Sequence, residues 1–391
     1  MTAPRHSRHK HAEARNARMN NIKNMAALWI AGLVVLVGAG WSLEQQVNLT
    51  GRVHQVDRPG LSLEKRIEAA EQEFRRENRE GLFLAGYVFP ARNSIHMGDN
   101  RDQGTPYGVR VREGEIKIRR TYRGKSGDRD SVHSEAEESG PAGIFLLYRM
   151  SDGKSRMVDS NIFDPDRSFV FEDIPLYWLG EANAAESFAF LTNHFEHGGT
   201  VNLQNDLIFV ISMHDSSKVT PFLKGVALGT YTTKTRKNAI FWMGNQKTPE
   251  SYRALKEISA KVRGTELRKQ VVFAYSLVGQ EEAIQEMIRI AREDKDREVR
   301  KNAIFWLGQK ASDEAAAALQ GLVEESDEDV DLKKSAVFAI SQLPKDRSIP
   351  LLISIAKTHP NSALRKNAIF WLGQTGEEEA LQFFEEILLK K

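Results

Sequence analysis

The tryptophans of this chain recur at a nearly fixed interval. Trp178, Trp242, Trp306 and Trp371 lie in the similar phrases YWLGE, FWMGN, FWLGQ and FWLGQ. Successive tryptophans are about 64 residues apart, and between them an apolar phrase returns without tryptophan, as IFVIS, VFAYS and VFAIS. The unit is therefore about 32 residues long and recurs about seven times after residue 173. Because a unit this short buries a core only against its neighbours, the pattern predicts a solenoid.

Each unit reads as a hairpin of two helices separated by short loops. The predicted first helices are variable in sequence and cover residues 250–262, 281–293, 313–325, 349–358 and 377–389. The second helix carries the apolar phrase and begins at a basic pair. These pairs recur with the period of the unit, and they are Arg236-Lys237, Arg268-Lys269, Arg300-Lys301, Lys333-Lys334 and Arg365-Lys366.

The phrase around Trp306 predicts how the units pack. Val299, Ala303, Trp306 and Leu307 share one helical face. We expect Trp306 to lie in the core, with a large tryptophan layer alternating with a layer of Val or Ala. The alternative is an aromatic platform for a ligand. Gly308 ends the phrase, where either a left-handed cap or a close helix contact requires a residue without a side chain.

The basic pairs need a compensating charge. A cation in the first turn of a helix opposes the helix dipole. Asp296 and Asp329 each precede a basic residue by four positions, which favours an acid–base ladder between units. The alternative is a cationic stripe for an anionic partner. A polar residue follows each pair, and we take these residues and the pairs as the candidate partner-binding surface, on the curved inner face formed by the second helices. They are Arg236, Lys237, Asn238, Arg268, Lys269, Gln270, Arg300, Lys301, Asn302, Lys333, Lys334, Ser335, Arg365, Lys366 and Asn367.

The N-terminus predicts a membrane anchor. Residues 25–43 carry no charge over 19 positions, about enough for a helix to span a bilayer. The basic leader at 1–24 keeps the N-terminus in the cytoplasm and the bulk of the chain extracytoplasmic. The prediction is thus a single-pass protein of the inner membrane. The alternative is export after signal cleavage, for which Val37-Gly38-Ala39 supplies small residues.

Two further segments precede the repeats. Residues 44–80 read as a linker and an amphipathic stalk helix. Residues 81–172 alternate apolar and charged positions and predict a small antiparallel β-rich unit, with hairpins at Glu113-Gly114 and Asp152-Gly153. The polar stretch 123–140 reads as a mobile loop. The solenoid then occupies residues 173–391, so the fold class is mainly α.

Composition excludes several kinds of site. With no cysteine, the chain forms neither disulfides nor thiolate metal sites, and its net charge of +2 gives no sign of nucleic-acid binding. No nucleophile elbow, dinucleotide fingerprint or phosphate loop is present. His194, His197 and His214 form no metal signature, and we expect no metal, cofactor or catalytic residue.

The motif V/L-R-K-x-A-x-x-x-L-G at 299–308 and 364–373 resembles HEAT repeats of the short bacterial type found in phycobilin lyases. The chain is also similar to exported bacterial HEAT-repeat proteins without assigned activity. The resemblance implies a right-handed α-solenoid of helical hairpins that holds a protein partner, and we expect a protein-interaction scaffold rather than an enzyme. The alternative is a chromophore-handling or lyase-type enzyme related to the bilin lyases.

Overall fold

A computed structural model describes residues 47–58, 60–78, 80–92, 94–97, 106–120, 132–135, 139–197, 199–325 and 329–389. Within these ranges the strands are β1 (Asn48–Gln55), β2 (Gly81–Ala91), β3 (Ser94–Met97), β4 (Tyr107–Arg112), β5 (Glu115–Arg120), β6 (Val132–Glu135), β7 (Gly140–Ser151), β8 (Lys154–Phe163) and β9 (Ser168–Glu181). The helices are α1 (Leu63–Glu77), α2 (Ala184–His197), α3 (Val201–Ser212), α4 (Val219–Leu228), α5 (Thr233–Asn245), α6 (Pro249–Lys261), α7 (Thr265–Leu277), α8 (Glu282–Glu293), α9 (Arg297–Gly308), α10 (Asp313–Glu324), α11 (Val330–Ser341), α12 (Lys345–Thr358), α13 (Ser362–Gly373) and α14 (Glu378–Leu389).

The β unit is a mixed sheet rather than the antiparallel one predicted. Its strand order is β5-β4-β9-β2-β7-β8, and β1 also pairs with β9. The long strand β9 runs parallel to β1, β2 and β4, whereas β2–β7, β7–β8 and β4–β5 are antiparallel. The parallel pairs arise because the chain returns to the sheet through α1 and through long connections, which local hairpin signals do not reveal. Strands β3 and β6 form a separate two-stranded sheet.

Both hairpins that the sequence predicts are present. Glu113 and Gly114 have φ values of 54° and 81°, and Asp152 and Gly153 have φ values of 50° and 69°. Two successive positive φ values are typical of the tight type I′ turn, whose twist matches that of the flanking strands. The stretch 123–140 lies largely outside the described residues, and its described part contains β6.

Helix α1 belongs to the core of the β unit and is not a stalk. Leu63, Ile67, Ala70 and Phe74 are buried at helical spacing, and the ring of Phe74 lies 4.8 Å from that of Phe83 on β2. The amphipathic pattern therefore predicts the helix correctly, but its apolar face covers the sheet. The preceding polar segment is also structured, since β1 lies within the stretch interpreted as a linker.

Strand β9 corrects the predicted start of the repeats. Trp178 lies in this strand, not in a repeat helix, and pairs with Gln55 of β1 and Gly86 of β2. Pro175 lies two residues before the phrase YWLGE, and a proline removes a hydrogen bond from a helix interior. The strand continues to Glu181, so the helices begin at Ala184 rather than at residue 173.

The helices from α2 onward stack as the repeat predicts. Within the described residues there are six hairpins, from α2–α3 to α12–α13, followed by α14. The second helices α3, α5, α7, α9, α11 and α13 contact one another in that order and form one layer. Most of the first helices form the other layer. The described helices of this region form a helical solenoid, as predicted.

The sheet and the first hairpin share one core. Buried Tyr87 of β2 meets Ser187 of α2 at 3.0 Å between hydroxyl oxygens, and His214 Nε2 lies 2.9 Å from the same Ser187 Oγ. The His214 ring also stacks on Phe89 of β2 at 4.4 Å. Residues 48–391 accordingly form one compact unit.

The structure does not describe the predicted anchor. The leader 1–24 and the apolar segment 25–43 both lie outside the described residues. Among the residues that it does describe, none of the helices has the length and apolar character needed to cross a bilayer.

Candidate functional site

Three tryptophans pack against phenylalanines of the preceding unit. Each indole is half-buried and packs against the core on one side. The prediction that Trp306 packs in the core therefore holds for part of its surface, and the remainder lies on the exposed side of the second-helix layer. Phe209–Trp242 and Phe273–Trp306 are stacked, with centroid distances of 4.6 and 4.5 Å, and Phe338–Trp371 is tilted at 4.9 Å.

Glycines that follow two of the tryptophans allow close helix contact. A Cβ atom on Gly308 would lie 2.6 Å from the carbonyl oxygen of Ala339 in the next second helix. A Cβ atom on Gly244 would likewise lie 2.8 Å from the carbonyl oxygen of Ala274. Gly308 lies outside the left-handed region, so the close contact, not a cap, explains this residue. The residue that meets alanine of the next unit is thus the glycine two positions after the tryptophan, whereas the tryptophan itself packs on a phenylalanine, not on the predicted Val or Ala.

Three arginines of the basic pairs form hydrogen bonds between the two helices of their own hairpin. Each guanidinium donates to a carbonyl at the end of the first helix of its own unit. The C-terminus of a helix carries partial negative charge, so these cations are stabilising there. This contact supplies the compensation that the helix dipole requires. The contacts are Arg236 Nε to the Ala227 carbonyl at 2.8 Å, Arg300 Nε to the Ala291 carbonyl at 2.8 Å, and Arg365 to the His359 carbonyl at 2.7 Å.

The predicted acid–base ladder is present with a shifted register. Asp296 accepts from Arg268 of the preceding unit at 3.2 Å, rather than from Arg300 four residues later. Arg268 also forms an ion pair with Asp294, with 2.6 Å between Nη1 and Oδ1. Asp329 likewise pairs with Arg297 of the preceding unit, at 3.0 Å. The ladder therefore ties adjacent units together.

The lysines of the basic pairs do not form a bare cationic stripe. Four of the five lie near carboxylates, and Lys366 has no ion pair within the described ranges. Exposed pairs of this kind contribute about 0–1 kcal/mol, so their main effect is to neutralise the surface. The pairs are Lys237–Glu266, Lys269–Glu266, Lys301–Glu298 and Lys334–Asp331, at 3.1, 3.7, 3.4 and 3.7 Å. Lys333, the first member of its pair, is buried.

A row of polar residues runs along the second helices, one in each unit. We define the polar row as Asp206, Asn238, Gln270, Asn302, Ser335 and Asn367, which recur with the period of the hairpins. Asp206 was not among the candidates from the sequence, because no basic pair precedes it. The alignment of IFVIS with VFAYS places it at the same position as Gln270, and this signal could have found it.

Parts of the row and its neighbour Asn205 have unused hydrogen-bonding capacity. Among the described residues, no partner is present for the buried amide nitrogen and oxygen of Asn205, or for the buried Oδ1 atoms of Asn302 and Asn367. Asn238 donates to the Asn205 carbonyl at 3.0 Å, and the Ser335 hydroxyl donates to the Asp331 carbonyl at 2.9 Å. Unpaired buried polar atoms are unfavourable, and these atoms are closed to solvent. A ligand that supplies donors and acceptors would pair with them when the amides turn towards the exposed side of the helices.

A cleft of about 930 Å³ lies where the row begins. Helices α3, α5 and α7 form one wall, and the edge strands β5 and β8 form the other. The sheet curls so that these edges approach, and the Ile116 amide donates to Asp159 Oδ2 at 2.6 Å. Phe209, Phe241 and Trp242 supply aromatic surface in the cleft.

Two carboxylates in the cleft are electrostatically perturbed. Burial, followed by repulsion from Asp159, raises the pKa of Asp206 to about 6. Burial also raises the pKa of Asp159, against the hydrogen bonds from Ile116 and Ser160. Raised carboxyl pKa values in a cleft are typical of sites that bind or transfer a charge.

A known family model matches the C-terminal part of the repeat region. Residues 320–391 match the family model described as HEAT repeats. No curated protein matches the chain.

Three solved structures are similar over part of the chain. Human deoxyhypusine hydroxylase in complex with glycerol is 16% identical, covering 52% of this chain and 79% of its own, with a TM-score of 0.24. The YibA protein of E. coli is 18% identical, covering 53% and 77%, with a TM-score of 0.33. The CpcE–CpcF complex of phycocyanin lyase from Nostoc sp. PCC7120 is 16% identical, covering 51% and 81%, with a TM-score of 0.27. Nothing about the activity of this chain follows from these similarities.

The histidines near the first helical hairpin have separate local roles. His194 and His197 each lie about 3 Å from the backbone carbonyl four residues earlier, and His214 is buried against β2. In the part of the chain that the structure describes, His54, Glu73 and Glu77 form the single group of three potential metal ligands. They lie on β1 and α1, and the sequence analysis did not find them because they are far apart along the chain.

Proposed function

We propose that this chain is a protein-interaction scaffold that binds its partner along the exposed side of the second helices. The observation that carries the proposal is the polar row with its unpaired amide atoms, which lies beside half-exposed aromatic rings. An extended polypeptide supplies backbone donors and acceptors at regular intervals, and its side chains can pack against the rings. HEAT repeats, which present long surfaces of this kind, suit a scaffold.

The candidate residues divide into two groups under this proposal. Arg236, Arg300 and Arg365 bind helix carbonyls within the hairpins, so we assign them to the solenoid itself. Lys333 is buried, so the other lysines and the polar row remain the candidates for contact with the partner. Charge reversal of the arginines would therefore disturb the fold and is a poor test of the surface.

Photocrosslinking in native membranes tests the surface directly. A photoreactive amino acid replaces Gln270 in the polar row, and in a control chain it replaces Lys261 on the first-helix layer. We expect one defined crosslinked protein from position 270, and we expect its yield to fall when Asn302 and Asn367 are changed to alanine. Equal crosslinking from both positions would contradict the proposed surface.

We further propose that residues 25–43 anchor the chain in the inner membrane with its bulk outside the cytoplasm. The length of the uncharged segment and the basic leader support this proposal. In inverted and right-side-out vesicles, protease should digest residues 48–391 only in the right-side-out preparation. Digestion in inverted vesicles alone would contradict this orientation, and release into the soluble fraction without the leader would favour signal cleavage.

A lyase-type or chromophore-handling activity is the second candidate function. The cleft at the start of the row favours it, because about 930 Å³ is within the range of cofactor sites and its wall includes aromatic rings and carboxylates. The purified chain should then bind a bilin and acquire visible absorbance. A protein that remains colourless after incubation with a bilin would argue against this activity.

A further inference from the structure

The Asp206 carboxylate makes no direct contact with a cation among the described residues. Within the described residues it makes neither a hydrogen bond nor an ion pair, although it is half-buried in the cleft. Lys234 lines the cleft and its charge lowers the pKa of Asp206, but its ammonium donates to Asn202 at 3.1 Å and does not bind the carboxylate. Lys237 pairs with Glu266 at 3.1 Å. Lys117 is held by Glu115. The cleft therefore contains a carboxylate without a partner.

The surroundings of Asp206 are complementary to a planar cation. Asp159 lines the same cleft as Asp206. The unpaired amide oxygen of Asn205 is closed to solvent and adds a neutral acceptor when the amide turns towards the cleft. Phe209 and Trp242 line the same cleft. Carboxylates and aromatic surface together are the groups that recognise guanidinium, which has five donors and a flat face.

The place of Asp206 in the polar row connects this cleft to the partner. The other row positions carry amide or hydroxyl groups, and only the first position of the row carries a charge. Packed helices lie about 8–10 Å apart, which corresponds to about three residues of extended chain. A polypeptide that follows the row would advance by about three residues from one second helix to the next. One of its side chains would then reach the cleft at the end of the row.

We infer that the cleft binds an arginine side chain of the partner polypeptide, with Asp206 and Asp159 taking its charge and the rest of the row binding the main chain. This inference rests on the proposed function, because it names which residue of the partner the scaffold recognises. The Asn205 amide would accept a further hydrogen bond from the guanidinium.

Binding of matched peptides to the full-length chain in mild detergent tests the inference. One probe is an N-acetylated, C-amidated Gly/Ser octapeptide with a single central arginine. Its twin carries citrulline, which has the same shape without the charge. Charge-assisted hydrogen bonds predict a preference for arginine of about tenfold or more by calorimetry.

Two carboxylate-to-amide variants separate the cleft from general surface charge. Asp206→Asn should abolish the preference for arginine, whereas Asp346→Asn, at an exposed position on α12, should leave it unchanged. Thermal unfolding of both variants checks that the fold is intact. A preference that persists in Asp206→Asn would overturn the inference.

The outcomes also distinguish this inference from the proposed function. If both peptides bind equally and Asn302→Ala weakens both, the scaffold function stands and the arginine site is wrong. If neither peptide binds at millimolar concentration, the arginine site is also wrong, and the crosslinking experiment alone decides the scaffold function. If arginine is preferred and Asn302→Ala has no effect on binding, the arginine site in the cleft is supported, and binding of the main chain by the row is contradicted.

Discussion

At the scale of single residues, Asp206 combines a place in the repeat with an environment that disfavours its charge. Natural proteins often retain such unfavourable groups where function needs them. The folded-state pKa of about 6 exceeds the value of about 3.9 for an unfolded aspartate. The folded state therefore binds more protons between these values, and its stability falls as pH rises through this window.

Asp206→Asn should consequently stabilise the protein at pH 7.5. The pKa shift sets an upper limit on the gain in the free energy of unfolding. Because the side chain is half-exposed, solvent screening lowers this limit, and we expect a gain of about 1–2 kcal/mol from urea unfolding. The gain should vanish near pH 4, where Asp206 is protonated in the wild type. A destabilised variant at pH 7.5 would show that the carboxylate has a structural partner.

His214 makes the opposite contribution to pH dependence. Burial lowers its pKa to about 4, against about 6.5 for an unfolded histidine. Its stabilising contribution is therefore complete above about pH 6.5 and is lost as pH falls towards 4. The shift corresponds to at most about 3 kcal/mol.

His214→Gln should flatten the loss of stability between pH 7 and pH 5. The glutamine retains hydrogen-bonding groups near Ser187 but does not titrate. His197→Gln, at an exposed position, is the matched control and should keep the wild-type slope. If urea midpoints of all three proteins fall in parallel with pH, another group controls acid stability.

At the scale of elements, the fit between second helices depends on the glycines. Gly308→Ala places a methyl group against the backbone at Ala339, so the two helices must separate. We expect a loss of about 1–3 kcal/mol, as overpacking usually gives. Gly373→Ala is the control, because a Cβ atom there meets only the Phe384 ring at 4.0 Å. It should be neutral or slightly stabilising, and equal losses in both variants would contradict the contact model.

Trp306 tests how much the stacked layer contributes. Trp306→Ala removes the ring packed on Phe273, and we expect a loss of about 3 kcal/mol in urea unfolding, at the lower end for large core residues because the ring is half-buried. A double-mutant cycle with Phe273→Ala should give a coupling of about 0.5–1.5 kcal/mol. A coupling near zero would mean that the rings are adjacent without mutual stabilisation.

At the scale of the whole molecule, the sequence predicts local periodic features well and long-range ones poorly. The hairpin repeat and both β-turns follow from spacing and turn chemistry alone. The parallel pairing of β9 with β2 and the docking of α1 against Tyr177 do not, because they join segments that are far apart along the chain. The cleft depends on the same long-range folding of the sheet, since one of its walls comes from β5 and β8. Sequence reasoning accordingly found most of the polar row but not the carboxylate pair.

The alternation of layers also sets the step by which such an array can change length. Gly244 now faces Ala274, and removal of one hairpin unit would place Trp306 at that position. Removal of two units would place Ala339 there and preserve the contact. The structural repeat that preserves the contact between second helices is therefore the pair of hairpins rather than the single hairpin. Duplications or deletions of an odd number of hairpins would bring mismatched surfaces together, and because each repeat contacts only its neighbours, the mismatch would stay at the new junction.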